Sequence, residues 1–101
     1  RSVVIESGRH RILYCPECQQ LRLRFGPLML RQKREEFLQF HSFLERHLKQ
    51  HFTAKPEQEF QVRLGDVGLC LNAKEAEELH TLIQKGWVEL CRQQLQELYQ
   101  H

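Results

Sequence analysis

Two hydrophobic periods divide this chain. From residue 3 to about residue 32 apolar and polar positions alternate, and from residue 33 they recur every three or four residues. Alternation with period two is the mark of a half-buried strand, and a spacing of three and four is that of one helix face. "SVVIES" and "HRILYC" read as strands joined at Ser7-Gly8-Arg9, a turn in which glycine tolerates the positive φ of a tight hairpin. "QQLRLRF" follows, with Leu21, Leu23 and Phe25 alternating with Arg22 and Arg24. Gly26-Pro27 punctuates, and "LMLRQ" returns as a fourth strand. Phe37, Phe40, His41, Leu44, Leu48 and Phe52 then mark one stripe of a helix over about residues 33–52.

The grammar repeats after the polar "TAKPEQ" connection. "FQVRL" alternates as "LRLRF" does, Gly65-Asp66 takes the place of Gly26-Pro27, and "VGLCLN" returns. Asn72 is a fitting N-cap, with Glu75 three residues on, for a helix over 73–100. Its stripe runs through Leu79, Leu82, Ile83, Trp87, Leu90, Cys91, Leu95 and Leu98. The pattern predicts a single α+β domain over 1–101. Strands with a cysteine knuckle fill 1–32, a helix 33–52, a hairpin 59–71, and a helix or helix pair 73–100. An antiparallel sheet of about six strands carries helices on one face, and a hairpin–helix unit is used twice. A continuous last helix would be about 42 Å long, against an expected radius of gyration of about 13 Å for a domain of this size. Either Gly86 breaks it, or its C-terminal part packs on another chain.

Composition narrows the function classes. Hydrophobic residues make up 41% and charged ones 28%, which suits a packed globule rather than a disordered chain. No apolar run approaches the roughly 20 residues of a membrane span, and no signal peptide is visible. A cytoplasmic setting with reduced thiols is the expectation for Cys15, Cys18, Cys70 and Cys91. The net charge of +2 is uneven: residues 1–50 hold ten Lys and Arg against five acids, and residues 51–101 hold five against eight.

"YCPEC" concentrates the candidate chemistry. A C-x-x-C turn lets two sulfurs reach one tetrahedral zinc, so Cys15 and Cys18 are the candidate metal ligands and zinc the candidate cofactor. A complete site needs four ligands, and no second pair follows; further N-terminal residues or a second molecule offering the same pair would complete it, and the plain alternative is a tight turn holding two thiols or a stray disulfide. Strands flank the pair, whereas a redox C-x-x-C opens a helix. Cys70 and Cys91 read as core residues, His41 as a satisfied, partly buried histidine, and His10 as a surface residue. No nucleophile elbow, Walker loop, dinucleotide fingerprint or HExxH occurs, so the chain reads as a non-enzyme.

Two binding functions remain. The favoured one is a protein–protein interaction or structural module, dimeric or docked on another protein through Trp87, Leu95 and Leu98. The alternative is a single-stranded nucleic-acid binder using a strip of Arg22, Arg24 and Arg63, which share the open sheet face if Leu21, Leu23 and Val62 face the helices, with Arg9, Arg11 and Arg31 as its extension. No partner in the membrane is expected.

The run "YCPECQQLRLRFGPLMLRQKREEFLQF" resembles a family of small uncharacterised bacterial proteins. Their pattern is a C-x-x-C turn, an alternating strand, a Phe-Gly or Phe-Asn turn, a returning apolar strand and a Glu-Phe-x-x-Phe helix start. Here these are Cys15 and Cys18, Leu21 to Phe25, Gly26, Leu28 to Leu30, and Glu36-Phe37 with Phe40. The resemblance covers about a third of the chain and implies a bacterial source without an assigned activity. Some members carry a further metal-type residue near the N-terminus, where residues 1–9 here offer none.

Overall fold

The computed structural model describes residues 2–99. Its order is β1 (Val3–Ser7), β2 (His10–Cys15), β3 (Gln20–Phe25), β4 (Leu28–Lys33), α1 (Arg34–Ala54), β5 (Phe60–Leu64), β6 (Val67–Leu71) and α2 (Ala73–Tyr99). The protein is α+β, with six antiparallel strands and two helices packed against them. The strands form two ladders rather than one, a four-stranded β1-β2-β3-β4 sheet and a separate β5-β6 hairpin. The whole of α1 and its connection intervene between β4 and β5, and those two strands make no ladder.

Three of the four hairpins close on two residues, and β2–β3 closes on four, residues 16–19. Gly26 and Gly65 both sit at positive φ, 59° and 63°, as such tight connections require. The element order hairpin–helix is therefore traversed twice, after one additional N-terminal hairpin. At the head of α2 the Asn72 side chain accepts from the Glu75 N–H at 2.8 Å, and Glu75 accepts from the Asn72 N–H at 2.9 Å. This reciprocal pair satisfies two donors that the first turn would leave open.

Alternation sorts the residues as expected. Leu23 is 2% exposed and Val62 6%, while Arg22 and Arg63 lie in water. Ile12, Leu21 and Leu23 meet Phe37 and Leu44 of α1 and Leu79, Leu82, Ile83 and Leu90 of α2 in one core. No break occurs at Gly86, and α2 runs unbroken from Ala73 to Tyr99; residue 100 of the expected helix lies outside the described residues. A Cβ on Gly86 would fall 2.7 Å from Phe37 Cζ and 2.9 Å from Ile12 Cδ1. Glycine stands there because α2 crosses the sheet and α1 too closely for a side chain.

The helix then outruns its support. Leu95, Leu98 and Tyr99 are 53%, 66% and 86% exposed. The molecule measures 49 × 25 × 25 Å with a radius of gyration of 14.2 Å. No helix among the described residues is long and apolar enough to cross a membrane.

Candidate functional site

The β-sheet register decides which side chains share the uncovered face. Leu13 of β2 lies across from Arg22 of β3, and Arg22 from Arg31 of β4. In the next row Arg11 is across from Arg24, and Arg24 from Met29. A third row joins Cys15, Gln20 and Lys33. Five cations, Arg11, Arg22, Arg24, Arg31 and Lys33, thus stand on outward positions of three neighbouring strands, all exposed. Among the described strand residues on this face, Glu6 is the one acid, 3.9 Å from the Arg11 guanidinium. Both groups are half exposed or more, and a pair of that kind contributes at most about 1 kcal/mol. No helix covers this face, because α1 and α2 both pack on the side of Ile12 and Leu23.

Arg63 is exposed, as its alternation predicts, yet it does not continue the strip. It belongs to the separate β5-β6 ladder and lines a different recess with Gln32, Glu36 and Gln61. The strip expected from the sequence is therefore corrected: Arg11, Arg22, Arg24 and Arg31 are brought together as expected, Lys33 joins them, and Arg63 stands apart. Lys33 was missed because it reads as a helix-start residue. The hairpin register would have found it, since closure at Gly26-Pro27 sets Lys33 across from Gln20.

The cysteine knuckle closes the β2–β3 hairpin beside this face. Gln19 takes a left-handed φ of 55° and donates its N–H to Cys15 O at 2.8 Å, while Arg34 N donates to Gln19 O at 3.1 Å. The Cys18 N–H points to Cys15 Sγ at 3.4 Å. Hydrogen bonds from the Cys18 thiol, and then its backbone N–H, lower the Cys15 thiol below the usual range; Cys18, as the donor, is pushed up. Both thiols are free, and with Arg22, Arg31, Leu13 and Gln20 they line a recess of about 250 Å³. Among the described residues no group of three or more His, Cys, Asp or Glu is placed to hold a metal.

The other cysteines and histidines lie elsewhere. Cys70 is exposed rather than buried, because Leu69 and Leu71 beside it point inward and period two turns it outward, across from Gln61. Cys91 is half-buried on α2. His10, expected at the surface, is buried and stacks on Phe25 with ring centroids 4.3 Å apart. His41 is buried and satisfied, as expected: its Nε2 lies 2.8 Å from Gln84 Oε1. Trp87 lies nearly parallel to the His41 ring at 4.7 Å, so half of this expected docking residue is spent inside the chain. Leu95 and Leu98, the other two, are open.

Fold and site together define a small α+β protein with helices on one side of an antiparallel sheet and a basic surface on the other. Compared with protein-family models, curated proteins and solved structures, the chain matches none.

Proposed function

We propose that this protein is a non-enzymatic binding module whose working surface is the open face of β1 to β4. Its ligand is single-stranded nucleic acid, held by the phosphate backbone. One observation carries this reading: Arg22 stands directly across from Arg31, and Arg11 directly across from Arg24. Arg22 and Arg24 are separated by a single inward residue, Leu23. Like charges across a ladder oppose folding, so two such pairs on one uncovered face fit a surface built for a polyanion. Aromatic side chains are absent from the outward positions of these strands, which favours backbone contact over base stacking and hence weak sequence preference.

Fluorescence anisotropy with labelled oligonucleotides tests the reading. With four to five phosphate contacts, log K against log salt should fall with a slope of about −3 for single strands. Absence of binding at low salt, or binding indifferent to salt, would refute it.

A second reading has its own observation. Leu95 and Leu98 project from the end of α2 with more than half their surface in water, which suits a protein–protein or self-association role. Light scattering across a concentration series tests it, and a strict monomer at high concentration counts against it.

A further inference from the structure

The knuckle presents half of a tetrahedral metal site at the surface. Structural zinc takes four ligands, and thiolates are among its preferred donors. Cys15 and Cys18 come from one four-residue turn, both as free thiols, with Cys18 exposed. The Cys18 N–H on Cys15 Sγ is the kind of outer contact that orients a sulfur ligand. Arg34 holds the turn from outside through Gln19 O. No group of three donors gathers here among the described residues: Glu17 accepts from Cys15 Sγ at 3.8 Å from within the turn, Cys70 belongs to the other ladder, Cys91 to the middle of α2, and both nitrogens of His10 are engaged.

We propose that one zinc ion is bound by Cys15 and Cys18 of two copies of this chain, as a tetrathiolate joining them across a two-fold axis. Each copy then contributes what the other lacks, the self-complementary arrangement of a symmetric dimer. Four thiolates around one Zn²⁺ carry a net charge of −2, and Arg22 and Arg31, which line the same recess as the sulfurs, supply the opposing charge. The position suits a bridge, since the turn stands at the end of a hairpin with Cys18 exposed. Loading is a ligand exchange: two thiols on each copy lose their protons to solvent, four Zn–S bonds form, and the six waters of the hydrated ion leave.

The experiment is elemental analysis with light scattering on the reduced full chain, supplied with zinc and no chelator. The expected result is one zinc per two chains and a dimeric mass that falls by half in excess chelator. Cys15→Ser with Cys18→Ser should abolish zinc binding and yield a monomer with unchanged circular dichroism. Cobalt(II) offered instead should give the strong sulfur-to-metal absorption and tetrahedral visible bands of four thiolates. A monomer without zinc, or a monomer with one zinc per chain, would overturn the proposal. So would a dimer that persists in chelator and in the double variant, which would move the contact to the end of α2. Nucleic acid takes no part, so this result stands apart from that of the oligonucleotide titration.

Discussion

At position 10 a histidine ring spends both nitrogens inside the protein. Nδ1 accepts from the Gly26 N–H at 3.0 Å, which places the proton on Nε2, 3.4 Å from Glu78 Oε1. One side chain therefore ties the start of β2, the β3–β4 turn and α2 together. His10→Ala should cost about 2–3 kcal/mol, since it leaves the Gly26 N–H without an acceptor, and a urea midpoint would report it. A change below about 0.5 kcal/mol, the level of an ordinary surface substitution, would show that the ring carries no such role. In the sequence this residue looked like the polar opening of a strand. Parity alone puts it in line with Ile12 and Tyr14 on the buried side, but that line depends on where the strand starts. Cys70 errs in the opposite direction: its apolar neighbours suggested a buried run, and period two turned it to water.

Among the elements, α2 decides between the two expected forms, one helix or a helix pair. Intrinsic propensity argues for a break at Gly86, because glycine costs a helix interior about 1 kcal/mol relative to alanine. Close packing on Phe37 and Ile12 wins, both of them fully buried. Gly86→Ala should accordingly destabilise by about 1–3 kcal/mol, although the same change stabilises an isolated helix. Thermal unfolding decides between the two, and a raised midpoint would show that the helices part easily. The end of α2 behaves differently. Leu95→Glu with Leu98→Glu should leave stability within about 0.5 kcal/mol of the parent, and should abolish any association that light scattering finds at this end. The apolar stripe of Leu79 to Leu98 is legible as a helix throughout, yet its last turns pass beyond the sheet and α1 and bury nothing in this chain.

Over the whole molecule, the excess positive charge of the first half is laid out by the four-stranded sheet. The β3–β4 hairpin matters most, since it sets Arg31 beside Arg22 and Lys33 beside Gln20. The split into two ladders then removes Arg63 from the row. Arg31→Ala should therefore weaken oligonucleotide binding and make the salt slope shallower by about 0.7, whereas Arg63→Ala should leave both unchanged. Equal effects in anisotropy titrations would mean that the strip follows the sequence alternation instead of the register.

Local periodicity by itself determined the six strands, the two helices, the N-cap at Asn72 and the choice of Leu23 and Val62 over Arg22 and Arg63 for the interior. Each of these follows from interactions within a few residues, namely turn conformation, capping and the burial of one face. Tertiary structure decided the rest. It split the strands into two ladders, kept α2 whole through a glycine, drew His10 and half of Trp87 inside, and gathered five cations and a thiol pair along one wet surface. Those outcomes depend on hydrogen-bond register and on the closeness of packed elements far apart along the chain, and no periodicity encodes either.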